Sequence, residues 1–271
     1  MTAATAPIQA ADNRARLLPS VSVLTGRAVH IYLRTPQIVL LRVIQSAAFL
    51  LIFRYVFGGA IGTQGMTYVD YMAPGLLVVG VMFATMGTGL GVAEDLATGL
   101  YDRLRSLPMP RSSVLAGRVI ADLGVTVVVF AITAGIAFAV GFRVHTDWRS
   151  ALGAFGLCVL FGLAMVWIFV AVGLLTGSVQ ASQGISFLVM PISFASSAFV
   201  PINSMPGWLQ AFAANQPVTA VIDAVRVLTQ GAPAVALLGH DTRYHVVRAV
   251  LWSVGLTVLF AGLSIAKYRR R

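Results

Sequence analysis

The densest run of charged residues lies between positions 93 and 122, and its pattern favours a docking segment over a catalytic site. Four leucines recur there at spacings of four, four and three, which places them on one face of a helix: Leu96, Leu100, Leu104 and Leu107. Charged side chains surround this stripe, and Pro108 and Pro110 end the helix. A short amphipathic helix of this kind is typical of segments that dock another protein. A solvated charged loop with incidental leucines is the alternative.

The other residues with reactive side chains do not form the sequence motifs of common catalytic or metal-binding sites. The single lysine, Lys267, lies in the tail AKYRRR, so the chain lacks the Gly-Lys pair of a phosphate-binding loop. The single cysteine, Cys158, excludes a disulfide framework and a cysteine-based zinc site. His240 and His245 lie five residues apart in a loop and follow no metal-ligand pattern. We therefore predict no catalytic residue, no metal and no cofactor bound by this chain.

The composition indicates a membrane protein. Of 271 residues, 58% are hydrophobic and 10% are charged, whereas about a quarter are charged in an ordinary soluble domain. The mean hydropathy is +0.86. The net charge of +10 comes from 18 arginines and one lysine, and in so apolar a chain it indicates the cytoplasmic flanks of membrane spans rather than nucleic-acid binding. The bias towards arginine is typical of GC-rich bacterial genomes, so we expect a bacterial plasma membrane protein.

We predict an all-α polytopic fold with six transmembrane helices. A helix needs about 20 apolar residues to cross the hydrocarbon core of about 30 Å. Six stretches meet or approach this length: 38–57, 72–92, 123–142, 151–175, 185–202 and 246–266. The fifth is the shortest and contains Pro191. Residues 17–271 then form one transmembrane domain, and the small, polar residues 1–16 are expected to be a disordered cytoplasmic tail.

The basic residues orient this topology. With the N-terminus inside, twelve Arg and Lys residues fall on the cytoplasmic side and four on the opposite side, which satisfies the positive-inside rule. The first thirty residues lack the apolar stretch and cleavage site of a signal peptide. We therefore expect a multi-pass protein with both termini in the cytoplasm.

Two further segments are predicted to form amphipathic helices outside the spans. Residues 17–35 carry an apolar stripe and a basic face, which indicates a helix on the cytoplasmic surface of the bilayer, with an ordinary packing helix as the alternative. Residues 203–245 contain two short, apolar-striped helices that lie beside the outer leaflet or re-enter it, with a sealed soluble cap as the alternative. In the second of these helices, Asp223 and Arg226 can pair at a spacing of three.

Polar or small residues within the spans are candidates for a substrate path. They are Arg42, Gln45, Thr85, Ser193 and Ser197. A charge inside the bilayer is costly and marks a functional candidate, and an inward-facing Arg42 guanidinium could hold an anionic head group. Snorkelling of Arg42 to lipid phosphates and close packing of the serines are the alternatives. Acidic residues occur only at the edges of the spans, which counts against a proton- or sodium-coupled carrier.

Two motifs resemble those of type-2 ATP-binding-cassette (ABC) exporter permeases, with the daunorubicin-resistance drug exporters as the nearest subgroup. The first is GLYDRLRSLPMPR at 99–111, which continues to GRVIAD at 117–122. The second is FVPINSMPGWLQAFA at 199–213, followed by Asn215, Pro217, Asp223 and Arg226. They occur in the order, and on the sides of the membrane, that the six-span topology requires.

The resemblance implies the membrane subunit of an ATP-driven exporter. Two permeases, identical or related, would meet around a central path, and each would dock a separate nucleotide-binding ATPase subunit that holds ATP and Mg. The loop helix, about 98–107, would be the coupling helix seated in a cleft of that ATPase. The coupling residues would be Gly99, Leu100, Asp102, Arg103, Leu104 and Arg105. The expected cargo is a hydrophobic or amphipathic drug, lipid or glycolipid, and a self-sufficient secondary carrier or channel is the alternative function.

Overall fold

Every regular element of the computed structural model is helical within residues 6–56, 66–105 and 111–270, which the structure describes. The side chains of residues 6–18, 102, 105, 111 and 112 lie outside that description. The helices are α1 (Ala6–Arg34), α2 (Pro36–Val56), α3 (Tyr68–Ala97), α4 (Leu100–Arg105), α5 (Arg111–Ala139), α6 (Trp148–Thr176), α7 (Val179–Ser186), α8 (Val189–Phe194), α9 (Gly207–Asn215), α10 (Pro217–Gln230), α11 (Ala232–Leu238) and α12 (Thr242–Arg270). A single 3₁₀ turn, Ile202–Ser204, precedes α9.

Five of the described helices are long and apolar enough to cross a membrane: α2, α3, α5, α6 and α12. They correspond to the first four predicted spans and the last one. The side chain of Thr67 accepts a hydrogen bond from the Asp70 N–H at the start of α3, and Asp147 does the same for Ser150 at the start of α6. Gly177, in the left-handed conformation at φ 60°, ends α6. These caps set the ends of the two most deeply packed spans.

The fifth predicted span, 185–202, is not one continuous helix, so helix length alone does not confirm the six-span count. Its residues lie in α7, α8 and the turns that follow. Pro191 explains the break, because a proline has no N–H to donate to the carbonyl of Phe187. Met190 donates to that carbonyl at 3.1 Å instead, which tightens the turn.

The chain from the start of α7 to position 202, here called the broken segment (179–202), nevertheless follows α3 along much of its length. A Cβ on Gly89 would lie 3.0 Å from Ser182 Oγ, near the beginning of the segment. A Cβ on Gly75 would lie 2.6 Å from Ala198 Cα, near its end. The two glycines are 14 positions apart in α3, a rise of about 21 Å. The segment therefore runs antiparallel to α3, and glycine is what allows the close approach at each end.

The core lies between α3 and α6, with α10 packed across them. These two spans approach closely because both carry glycine: a Cβ on Gly173 would lie 2.6 Å from the carbonyl oxygen of Gly89. α10 packs against α3, α6 and α12, and 12 of its 14 residues are buried. By contrast, α2 and α12 expose most of their apolar surface, so those faces need lipid or protein to cover them.

The N-terminal helix is longer than the sequence indicated, and it packs on α5. It begins at Ala6, so residues 6–16 are helical where a disordered tail was expected. The alanines, glutamine and arginines of this stretch are good helix formers. Further along, Leu24 packs on α5 where Gly117 leaves room, since a Cβ on Gly117 would lie 2.7 Å from Leu24 Cβ. α1 is thus held against the protein on one side, while apolar side chains on its other side are exposed.

Candidate functional site

Residues 98–105 of the predicted coupling segment form a turn and a short helix at one end of the bundle, and positions 106 and 107 lie outside the described residues. Gly99 follows α3 in the left-handed conformation at φ 67°, where a residue with a Cβ is strained. Its N–H donates to the Leu96 carbonyl at 3.1 Å, and its own carbonyl accepts from the Arg103 N–H at 3.2 Å. Gly99 therefore sets the direction of α4 relative to α3. The side chains of Asp102 and Arg105, two further predicted coupling residues, lie outside the described residues.

Only part of α4 reaches the surface. Tyr101 is buried, and Leu104 packs against the same apolar cluster, to which α1, α3, α5, α6 and α12 also contribute. The rings of Tyr101 and Tyr268 meet edge-on, with their centroids 5.6 Å apart. Leu100 is half-buried outside this cluster, and Arg103 is exposed. The predicted leucine stripe is therefore divided: Leu104 contacts its own chain, whereas Leu100 lies nearer the surface.

A partly buried ion network connects this end of α3 to α5 and α1. Arg118 in α5 donates from Nη1 to Asp95 at 2.8 Å and from Nε to Asp122 at 2.9 Å. Tyr32 in α1 donates to the other carboxylate oxygen of Asp122. Burial, together with the neighbouring Asp122 charge, raises the pKa of Tyr32 to about 12, so the phenol remains a donor at physiological pH. Because Asp95 precedes Gly99 by four residues, the network joins the coupling turn to two other helices.

Sequence reasoning did not single out Tyr32, Tyr101 or Arg118. One signal was available for Arg118, because it precedes Asp122 by four residues on a helix and opposite charges at that spacing pair. No such signal exists for Tyr32, which lies 90 positions from the carboxylate that it contacts. Tyr101 sits among charged residues that indicated a surface position.

A cavity of about 630 Å³ lies beside the network, between α1, α2, α3, α5 and the end of α7. Two of the predicted path residues, Arg42 and Gln45, line it together with Arg118. Arg42 Nη1 is buried and has no hydrogen-bond partner among the described residues. The Arg42 guanidinium carbon lies 5.5 Å from the centre of the Tyr32 ring, which is within cation–π range. The Arg42 side chain therefore faces the cavity.

The other three predicted path residues do not line this cavity. Thr85 and Ser193 donate to backbone carbonyls in the preceding turn of their own helices, at 2.8 Å and 2.6 Å. Ser197 donates to Asp223 at 2.7 Å. All three are buried, so their hydroxyl groups are already engaged within the protein.

Ser197 contacts a buried ion pair, formed by Asp223 and Arg226, at the opposite end of α3. Asp223 and Arg226 pair at 3.0 Å, which confirms the pairing that their spacing predicted. Arg226 also donates from Nε to the Tyr71 carbonyl at 3.0 Å and from Nη2 to the Ser197 carbonyl at 2.7 Å. Its guanidinium carbon lies 4.1 Å from the centre of the Tyr71 ring. One side chain thus joins α10, α3 and the turn after α8.

The described fold is that of a helical membrane protein, with five helices long and apolar enough to cross a bilayer. Among the described residues, no group of three His, Cys, Asp or Glu side chains could hold a metal ion. The chain belongs to the ABC-2 type transporter family, whose family model matches residues 19–229. That match includes both motifs that carried the resemblance, and it confirms the family predicted from the sequence. It also favours a permease of an ABC transporter over a self-sufficient carrier or channel.

Individual relatives agree with this assignment. The chain is 32% identical over 230 residues to the daunorubicin resistance ABC transporter permease protein DrrB1 of Streptomyces coeruleorubidus, covering 84% of this chain and 78% of the relative. It is 26% identical over 265 residues to the probable doxorubicin resistance ABC transporter permease protein DrrC of Mycobacterium tuberculosis, covering 96% and 92%. A putative transport permease, ycf38, of Pyropia yezoensis is 25% identical over 218 residues, covering 78% and 74%.

Proposed function

We propose that this chain is the membrane subunit of an ATP-driven exporter that moves a hydrophobic or amphipathic compound out of the cytoplasm or the inner leaflet. The observation that supports this most directly is the connection from the coupling turn at Gly99, through Asp95 and Arg118, to the cavity that Arg42 lines. The names of two relatives, daunorubicin and doxorubicin resistance ABC transporter permeases, support an export role. A separate nucleotide-binding ATPase subunit would hold the ATP and Mg and supply the energy.

The proposed coupling path begins on the outer side of α4. Leu100 would give the ATPase an apolar contact, and Arg103 would offer it a cation for acidic residues. A displacement of α4 would move the end of α3, because Gly99 joins the two helices directly. The partly buried pair between Asp95 and Arg118 would carry that movement to α5, since an ion pair shielded from water resists separation more than an exposed one does. The cavity between these helices would then change shape with each ATPase cycle.

The proposed topology places α1, α4 and both ends of the chain in the cytoplasm of a bacterium, and α9 to α11 on the outside. The cluster that contains Leu24, Tyr101 and Tyr268 supports it, because it brings α1, α4 and the end of α12 together.

The broken segment supplies the sixth crossing, since it runs antiparallel to α3. α10, buried against three spans, would be a re-entrant helix. The exposed apolar faces of α2 and α12 would contact lipid and a second permease, identical or related.

Two leucine substitutions in α4 test this function by separating docking from folding. Leu100→Asp places a carboxylate on the proposed docking surface, so the permease should insert normally but bind its ATPase at least about tenfold more weakly. Leu104→Asp places a carboxylate in the permease's own apolar cluster, so it should lower the melting temperature of the permease itself. The measurements are copurification with the nucleotide-binding subunit, ATPase activity of the complex, and thermal unfolding of the permease.

Leu100→Met is the matched control for these variants, because it keeps an apolar side chain of similar size at the same position. It should retain both the ATPase subunit and its activity. Normal copurification and transport by Leu100→Asp would show that α4 is not the docking site.

A further inference from the structure

The cavity beside α3 contains an arginine, Arg42, that forms no salt bridge among the described residues. Arg42 Nη1 is buried without a hydrogen-bond partner, and the salt bridges around the cavity involve Arg118 rather than Arg42. A buried guanidinium donor without an acceptor is unfavourable. A ligand that brings a negatively charged acceptor into the cavity would remove this penalty.

Two glycines make room for guanidinium groups on one face of α3. A Cβ on Gly87 would lie 2.5 Å from Arg42 Nη2, and a Cβ on Gly91 would lie 2.0 Å from Arg118 Nη2. Gly87 and Gly91 are separated by about one helical turn, a rise of about 6 Å, so the two guanidinium groups lie near each other along this face. A phosphate suits such a pair, because its oxygens accept hydrogen bonds from two guanidinium groups at once.

Carboxylates already occupy one of the two arginines that line the cavity. Arg118 pairs with two carboxylates, and Arg27 adds a positive charge that acts on one of them. Arg42 forms no salt bridge among the described residues, so its guanidinium is the lining cation left to bind an anion. Glu94 also lines the cavity but is exposed to solvent, where water screens its charge.

The remaining walls suit an amphiphile. Ile38, Leu41 and Phe187 line the cavity and are exposed beside it, on α2 and at the end of α7. Gln45, also exposed, adds an amide donor to the same opening. Acyl chains attached to a phosphate would lie against these apolar side chains, whereas inorganic phosphate would use only the polar wall.

We propose that this cavity binds the phosphate head group of an anionic membrane lipid, held chiefly by Arg42, with the acyl chains directed between α2 and α7 into the bilayer. The inference names a substrate class for the exporter and in that respect rests on the proposed function. Its structural basis is separate, because it depends on the buried Arg42 Nη1, which has no hydrogen-bond partner among the described residues, and on the space that Gly87 leaves for the guanidinium.

Native mass spectrometry of the purified permease tests the site without the ATPase. The probes are phosphatidic acid, diacylglycerol and a trimethylammonium lipid, all with the same acyl chains. The permease should retain phosphatidic acid about tenfold more strongly than either other lipid, as expected for one charge-assisted contact. Arg42→Gln should abolish this preference. Arg54→Gln removes a charge from the last turn of the same helix and should leave the preference unchanged.

A second variant alters the site without altering its charge. Gly87→Ala adds a Cβ where the Arg42 guanidinium lies, so it should also weaken the retention of phosphatidic acid severalfold. Gly124→Ala adds a Cβ in open space on α5 and should have no effect. Equal retention by the wild type and by both Arg42→Gln and Gly87→Ala would overturn the proposal. Displacement of the lipid by an equal concentration of inorganic phosphate would also overturn it, since the acyl chains would then contribute nothing.

Transport assays distinguish failure of the site from failure of the proposed function. If phosphatidic acid binds through Arg42 but the complex with its ATPase exports no lipid or drug, the site stands and the exporter function is wrong. If the complex exports a substrate while Arg42→Gln retains phosphatidic acid as the wild type does, the exporter function stands and the site is wrong.

Discussion

Two arginines within the helical bundle differ because only in one of them does every nitrogen donate a hydrogen bond within the described residues. Arg226 is fully buried, and each of its three nitrogens donates within the chain, to Tyr71, Asp223 and Ser197. A charge satisfied in this way stabilises the arrangement of the helices around it. Arg42 instead leaves a buried nitrogen unpaired beside a cavity. An arginine therefore joins helices at one end of α3, whereas a second arginine is a candidate ligand-binding group towards the other end.

Arg226→Met should lower the free energy of unfolding by about 3–5 kcal/mol, because it leaves the Asp223 carboxylate buried and unpaired. Thermal unfolding in detergent measures the effect. Arg243→Met is the control, since Arg243 is an exposed arginine of α12, and it should change stability by no more than about 0.5 kcal/mol. Adding Asp223→Leu to Arg226→Met should restore most of the loss. Equal melting temperatures for Arg226→Met and the control would contradict a structural role for the pair.

At the level of helices, glycine and proline positions decide which elements are continuous and which touch. Pro191 interrupts the hydrogen bonds of the fifth hydrophobic segment, and Gly75 lets the resulting turn approach the backbone of α3. Gly99 performs a different task, because its left-handed conformation turns the chain from α3 into α4. Each of these residues acts on the backbone, so a substitution there affects the arrangement of whole elements.

Gly75→Ala should destabilise the permease by about 1–3 kcal/mol through overpacking. The new Cβ would lie 2.6 Å from the Cα and 2.7 Å from the carbonyl oxygen of Ala198, and backbone atoms cannot rotate away as a side chain could. Thermal unfolding and limited proteolysis of the turn after α8 measure the effect. Gly124→Ala, with open space around its new Cβ, should be neutral or stabilise by up to about 1 kcal/mol. Indistinguishable behaviour of the two variants would show that the segment does not pack on α3 at this point.

In the whole molecule, the two ends of the bundle are built differently. One end holds α4, the apolar cluster around Tyr101 and the ion network of Arg118. The other holds α10 and the buried pair formed by Asp223 and Arg226. α3 spans the distance between them and contacts both α4 and α10.

The topology predicts which end an impermeant thiol reagent reaches in intact cells. In a background with Cys158→Ala, His240→Cys should be labelled from outside, whereas Thr98→Cys and Arg269→Cys should react only after the cells are permeabilised. All three positions are exposed, so a difference in labelling reports the side of the membrane. Labelling of position 98 or 269 in intact cells would overturn the proposed orientation.

The sequence alone determined the class of protein, most of the spans and the loop helix. A span is predicted by hydropathy over about 20 residues, and the pairing of Asp223 with Arg226 by a spacing of three on one helix. Both properties belong to a local stretch of chain and do not depend on what packs against it. The two family motifs are likewise continuous stretches, so they identified the family before any contact was known.

Only the tertiary structure decided which side chains face one another. Arg42 faces the cavity because Gly87, on a different helix, leaves space for its guanidinium. Leu104 packs into its own chain because α12 brings Tyr268 to that end of the bundle. Tyr32 meets Asp122 across 90 positions of sequence. The surroundings of each of these side chains are formed by residues distant in the sequence, so no local pattern could have indicated them.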